Sequence, residues 1–307
     1  MNWGHDRGEL RQGNTMRNFN EQSITDAVIE RFATSTDPRV KEVCASLVRH
    51  LHDFVRDVRP SYDEWEFAID FLTRTGKMCD GARQEFVLLS DTLGASMLVD
   101  AVNNPVGGNI TQSTVLGPFY VDDPQVFPLG ADIAGKMRGT PAYVTGSVSS
   151  EDGSPLAGAL VDVWHSDDDG FYDVQQLEKL DGHAGRGRFI ADANGKFHFW
   201  TIKPTFYPVP TDGPVGEMLN AQGRHPWRPA HLHFMIHAPG HRKLVTHVFD
   251  SADKYLDSDA VFGVKDELVR DYPEHPPGVA PDGSRRDSVW ATIEYDFVMA
   301  KLPAKAA

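Results

Sequence analysis

Phe189-Ile190-Ala191-Asp192-Ala193-Asn194-Gly195-Lys196-Phe197-His198-Phe199-Trp200 reads as two apolar, aromatic-rich runs on either side of an Asn-Gly pair. Asn and Gly tolerate the positive φ angles of a tight turn and the flanking residues favour extended backbone, so the stretch predicts a β-hairpin. A period of two recurs around it. Tyr143 to Ser149 reads as a strand, Glu151-Asp152-Gly153-Ser154-Pro155 as a turn and Ala159 to His165 as the next strand. Ala230 to Ile236 and Lys243 to Phe249 add two more. Short strands punctuated by turn residues predict an antiparallel β-sandwich over residues 106–307.

Upstream the period is helical. Asp37-Pro38 supplies a cap and a first-turn proline, and Val40, Val43, Cys44, Leu47, Val48, Leu51, Val55 and Val58 then recur at helical spacing up to Pro60. Ser61 and Glu64 form a capping-box pattern for a second helix that Gly76 closes. A third stretch, Arg83 to Asn103, carries Phe86, Leu89, Leu93 and Met97 on one face and stops at Asn103-Asn104-Pro105. The fold class is therefore α+β, with a helical part over 21–105 followed by the sandwich. Residues 1–20 show no apolar period and read as a disordered lead, with Met16 an alternative start.

A chain of 307 residues can bury a substantial core. Its net charge of −14 argues against a nucleic-acid partner, which needs clustered Lys and Arg. No apolar run approaches the ~20 residues needed to cross a bilayer. The start lacks the pattern of a signal peptide, and Cys44 and Cys79 fit a reducing compartment, so the expected location is the cytoplasm.

The chemistry-bearing residues lie in the second half. In Arg228-Pro229-Ala230-His231-Leu232-His233-Phe234, Leu232, Phe234 and Ile236 alternate with His231, His233 and Met235, so both imidazoles point the same way from one strand. Such a pair can chelate one ion or be satisfied by hydrogen bonds. Tyr172 follows an acidic loop, Asp167-Asp168-Asp169-Gly170-Phe171, and Tyr207 sits among prolines in Lys203-Pro204-Thr205-Phe206-Tyr207-Pro208-Val209-Pro210. Both are loop tyrosines beside strand ends, where sites usually form.

Gln84-Glu85-Phe86-Val87-Leu88-Leu89-Ser90-Asp91, Leu116-Gly117-Pro118-Phe119-Tyr120, Val161-Asp162-Val163-Trp164-His165 and Gly223-Arg224-His225-Pro226-Trp227 running into the Arg228 motif occur in the order found in intradiol ring-cleaving dioxygenases. The chain resembles that family over most of its length after residue 20. The resemblance implies a helical part used in homodimer contact and a sandwich that holds one non-haem ferric ion per subunit. It implies Tyr172, Tyr207, His231 and His233 as metal ligands, and two phenolates suit a hard ferric ion better than zinc, which favours cysteine or a third histidine. It further implies that Tyr207 gives way to substrate and accepts its proton, and that Arg228 stabilises charge on the ring. His247 falls where catechol-cleaving relatives carry glutamine and is a third candidate catalytic residue.

Within the family the chain resembles most the hydroxyquinol-cleaving branch, through Leu88 to Asp91, Val115 to Phe119 and Tyr255 to Lys265. The implied substrates are benzene-1,2,4-triol and dioxygen, giving 3-hydroxy-cis,cis-muconate or maleylacetate, with catechol or a chlorocatechol as the alternative. Leu88, Asp91, Val115, Leu116, Gly117, Pro118, Phe119 and Val209 are the expected substrate-binding residues. Asp91 is read either as the acceptor for a third ring hydroxyl or as a carboxylate capping or bridging helices. Two other readings compete. The second half also looks like a non-catalytic transthyretin-type sandwich, which has no need of these tyrosines, histidines and Arg228 together; a cupin would need a downstream glutamate absent from His237-Ala238-Pro239-Gly240-His241.

Overall fold

The computed structural model describes residues 17–80, 83–104 and 107–302. Most of the expected lead, including Met16, and the Pro105 stop lie outside the described residues.

Contacts gather the chain into two units, one ending at Phe71 and one from Leu72 onward. In the first, α1 Ile24–Glu30 meets α2 Pro38–Val58. The Asp37 cap is present, its carboxylate accepting the backbone N–H groups of Arg39 and Val40 at 2.8 and 3.2 Å. Arg56 of α2 holds the turn before α1 by donating to the Glu21 carbonyl at 2.9 Å, and it also donates to the Thr25 hydroxyl of α1. The apolar stripe predicted for α2 exists but stays exposed at Val40, Val43, Leu47, Leu51, Val55 and Val58. The boundary falls within α3, Tyr62–Lys77, whose Ser61/Glu64 capping box is formed in both directions. Gly76 lies inside the last turn of α3 instead of closing it.

The third predicted helix is two helices, α4 Glu85–Thr92 and α5 Ala95–Asn103, and both belong with the second unit. Gly94, at φ +73°, breaks the helical path. The buried face also differs from the expected one. Leu89 is buried as expected, but Phe86 and Leu93 are exposed, and Glu85, Leu88, Asp91 and Thr92 are buried instead, because Glu85 pairs with Arg83 and accepts the Val215 N–H.

The strands of this unit are β1 Pro141–Ser150, β2 Leu160–Trp164, β3 Arg186–Ile190, β4 Lys196–Ile202, β5 Tyr207–Pro208, β6 Trp227–Arg228, β7 His231–His237 and β8 Leu244–Asp250. They continue as β9 Val269–Arg270, β10 Glu274–His275, β11 Gly278–Val279, β12 Arg285–Arg286, β13 Trp290–Glu294 and β14 Phe297–Met299. One five-stranded sheet runs β3-β2-β7-β8-β9; the other is β10-β13-β1-β14, with β4 also on β1. The expected sandwich is present, although β1 takes β13 and β14, and β8 takes β9, as parallel neighbours.

The Asn194-Gly195 turn forms, with the Asp192 side chain accepting from the Asn194 and Lys196 N–H groups at 2.8 Å. Its two strands do not pair with each other as a hairpin would. β3 pairs with β2 and β4 with β1, so the turn carries the chain from one sheet to the other. Side chains explain the preference: Phe189 and Phe199 stack at 4.6 Å between the sheets, and Phe197, Phe234 and Phe297 join them in one core. Burying each such ring stabilises the fold by roughly 1.5–3 kcal/mol, more than one ladder hydrogen bond contributes.

His165 links the sheets. Its Nδ1–H donates to the Ser166 carbonyl at 2.8 Å, which leaves Nε2 to accept the Thr201 hydroxyl of β4 at 2.6 Å. Burial holds this imidazole neutral, with its pKa lowered to about 4. The unfolded chain, titrating near 6.5, therefore binds the proton first as pH falls. Stability contributed by neutral His165 is complete above pH 6.5 and lost between 6.5 and 4, an effect of roughly 3 kcal/mol. Melting curves of metal-free His165→Gln should show a shallower loss of stability over that window than the parent chain; parallel curves would contradict this account.

Candidate metal centre

Strand register assembles the site. On β7, Leu232, Phe234 and Ile236 enter the core while His231 and His233 face the opposite side, as the alternation predicts. His233 has Trp164 of β2 and His247 of β8 as direct cross-strand neighbours. Trp164 stacks on it at 4.6 Å, and His247 Nε2 lies 2.7 Å from its Nδ1. The ring is thus clamped on both sides. On the two-residue strands, Tyr207 of β5 is the register partner of Arg228 of β6.

Four predicted donors meet. The Tyr172 hydroxyl is 3.1 Å from that of Tyr207, 2.9 Å from His233 Nε2 and 3.5 Å from His231 Nε2, and the two Nε2 atoms are 3.1 Å apart. All four side chains are buried. The remaining imidazole nitrogens are engaged: His231 Nδ1 donates to the Pro229 carbonyl at 2.7 Å, and His233 Nδ1 meets His247. Nε2 of each is left to bind a cation, the arrangement that second-sphere hydrogen bonds impose on metal-ligating histidines.

Electrostatics point the same way. Burial, then the neighbouring Tyr207, raises the Tyr172 pKa well above the ordinary phenol value. Burial, reinforced by Arg228, holds His231 far below the usual imidazole range, and burial with His247 and His231 does the same for His233. Neutral imidazoles, and a Tyr172 phenol that ionises only beside a strong positive charge, suit a highly charged cation. His231, His233 and His247 each bring a ring nitrogen within 4.8 Å of the others, but His247 is not a third donor. Its Nε2 serves His233, and its Nδ1 faces the Thr114 hydroxyl at 3.3 Å and the Val115 backbone.

The surroundings separate the two tyrosines. Tyr172 is enclosed, stacked on Phe119 at 4.4 Å, and the adjacent Asp173 pairs with buried Arg186, which also donates to the Phe119 carbonyl at 3.0 Å. Tyr207 borders a cleft of about 430 Å³ lined by Phe119, Gly170, Phe171, Pro210 and Trp227 among others.

Among the residues expected to bind substrate, Phe119 and Gly117 touch the site. A Cβ on Gly117, at φ +72°, would lie 3.2 Å from His233 Cε1, so this approach needs glycine. Asp91 is buried within the electrostatic reach of Arg228 and Asp259, and burial raises its carboxyl pKa. Leu88, Val115 and Val209 are buried; Leu116 and Pro118 are exposed. Asp259, Thr114, Asp173 and Arg186 were not singled out from sequence. A buried arginine requires a carboxylate, which is the signal that could have led to Asp259.

Residues 117–300 match a family described as dioxygenase, and residues 37–109 match one described as catechol dioxygenase N terminus. The chain belongs to the intradiol ring-cleavage dioxygenase family. It is 50% identical over 284 residues to 6-chlorohydroxyquinol 1,2-dioxygenase of Cupriavidus pinatubonensis, covering 92% of this chain and 99% of that one. Hydroxyquinol 1,2-dioxygenase of Rhodococcus opacus is also 50% identical, over 91% of this chain and 94% of its own. Among solved structures, hydroxyquinol 1,2-dioxygenase from Pseudomonas putida DLL-E4 superposes with a TM-score of 0.83 at 49% identity, over 92% of this chain and 99% of that one. As an intradiol dioxygenase the chain is an enzyme, and the non-catalytic transthyretin-type and cupin readings fall away. Among the described residues no helix is long and apolar enough to cross a membrane.

Proposed function

We propose that this enzyme opens benzene-1,2,4-triol between its two vicinal hydroxyl-bearing carbons, using one non-haem ferric ion per subunit held by Tyr172, Tyr207, His231 and His233. The supporting observation is the convergence of two buried phenols with two imidazole Nε2 atoms whose other nitrogens are already engaged. When bound, ferric iron would withdraw electron density from a vicinal diolate and make the ring reactive toward dioxygen. Both oxygen atoms enter the product, 3-hydroxy-cis,cis-muconate, which tautomerises to maleylacetate.

The chain's own residues divide the remaining work. Tyr172, enclosed and backed by the Asp173–Arg186 pair, stays in place. Tyr207, beside the cleft, gives way to substrate, and its freed phenolate accepts a hydroxyl proton. Arg228 Nη1, 3.4 Å from the Tyr207 oxygen, stabilises negative charge on the ring. Asp91 accepts a hydrogen bond from the third hydroxyl. His247 holds the His233 ring in orientation, an acceptor role that a glutamine side chain could also fill.

Oxygen-uptake assays should give a kcat/KM for the triol at least about tenfold above that for catechol or chlorocatechols, the scale of one satisfied polar contact. Catechol as the favoured substrate would contradict the assignment. The exposed apolar stripe of α2 supports a homodimer through the helical part, which sedimentation would test. The two free cysteines support a reducing, cytoplasmic location.

A further inference from the structure

Arg228 is 3% exposed, and Asp259 grips one edge of its guanidinium. Nε donates to Asp259 Oδ1 at 3.0 Å and Nη2 to Asp259 Oδ2 at 3.3 Å. The third nitrogen, Nη1, is left pointing at Tyr207 Oη and His231 Nε2, 3.4 Å from each. A planar guanidinium gripped at two nitrogens cannot turn without losing both bonds.

The carboxylate is equally constrained. Oδ1 also accepts the Val261 N–H at 3.3 Å and Oδ2 the Gly263 N–H at 2.9 Å, so four donors engage two oxygens. Asp259 therefore has its acceptor positions committed within the protein and acts on the reaction through Arg228. Space around the pair is tight. A Cβ on Gly263 would stand 3.1 Å from Arg228 Nη2, 3.1 Å from Asp259 Oδ2 and 3.2 Å from Thr114 Oγ1.

We propose that Asp259 is a positioning residue that aims Arg228 Nη1 at the meeting point of Tyr207 and His231, setting turnover without setting substrate affinity. The proposal rests on the charge-stabilising role given to Arg228 above.

Asp259→Asn keeps the size of the side chain, but either orientation of the amide turns an NH2 group toward two N–H donors. Its kcat on the triol should fall about 10- to 100-fold, the range for a misdirected charge-stabilising donor, with KM changed by less than about threefold. Iron content and the visible spectrum of the resting enzyme should not change, because all four ligands remain. A double-mutant cycle with Arg228→Gln is decisive. In the Arg228→Gln background Asp259→Asn should alter kcat less than about twofold, since no guanidinium remains to be aimed. If the two losses multiply instead, or if Asp259→Asn moves KM and not kcat, the proposal is overturned while Arg228 keeps its role. Wild-type turnover in Arg228→Gln alone would instead remove the role assigned to Arg228. Should Asp259→Asn fail to fold, Gly263→Ala keeps every charge and presses a methyl against the pair: lower kcat at unchanged KM and iron content supports the proposal, and unchanged kcat overturns it.

Discussion

Tyr207→Phe is expected to reduce turnover of the triol by about two to four orders of magnitude, the range spanned by loss of a positioned general base. The substitution removes one oxygen and leaves the ring in its place beside Gly170 and Trp227. Folding should survive, because Tyr207 owes its position to the β5–β6 pairing and to the edge contact of its ring with Tyr172, which phenylalanine retains. Tyr172, His231 and His233 still converge, so the variant should hold iron. Substrate must then lose its proton without the phenolate that the parent chain provides. The checking measurement is oxygen uptake normalised to metal content. Turnover within threefold of the parent at full iron loading would show that Tyr207 neither leaves nor accepts a proton.

Asp91→Leu should invert substrate choice. Asp91 is 5% exposed, and burial already pushes its carboxyl toward the protonated form, against the pull of Ser96 and Arg228. A triol would give this carboxyl a donor partner. Catechol would leave the carboxyl oxygen not engaged by Ser96 without a donor in a desolvated pocket, and leucine removes that penalty. The expected outcome is a loss of about 100-fold or more in kcat/KM for the triol with an unchanged or improved value for catechol. Equal losses on both substrates would assign Asp91 to the other role open from sequence, a carboxylate capping or bridging helices.

What could be read in the sequence depended on the range of the interaction. The period of two through Leu232, Phe234 and Ile236 is local, and it placed His231 and His233 on one face correctly. The Asp37 cap and the Ser61/Glu64 box are equally local and were equally legible. The Asn194-Gly195 turn was legible as a turn, but the destination of its strands was not. Phe189 and Phe199 pack across the sandwich, and that tertiary contact overrides hairpin pairing. The break at Gly94 was missed for the converse reason: Phe86, Leu89, Leu93 and Met97 keep a helical spacing across a residue that leaves the helical path.

The centre itself combines both cases. Motif resemblance brought forward Tyr172, Tyr207, Arg228, His231 and His233, whereas composition and spacing left the histidine pair open to a merely structural role. The contacts that make these residues a unit come from long-range register. Tyr207 meets Arg228 through strands of two residues each, too short to carry a period. Asp259 reaches Arg228 across 31 positions, and Arg186 reaches Asp173 across 13, with no local pattern to announce either pair.

Metal content and visible absorption of the purified, folded enzyme test the central claim most directly. About one iron per chain is expected, with a red-brown tyrosinate-to-ferric charge-transfer band that changes in Tyr172→Phe and Tyr207→Phe, because phenolate ligation of a hard trivalent ion is what the donor set favours. Folded protein that stays colourless and iron-free after reconstitution with iron, or a band indifferent to both substitutions, would contradict the account.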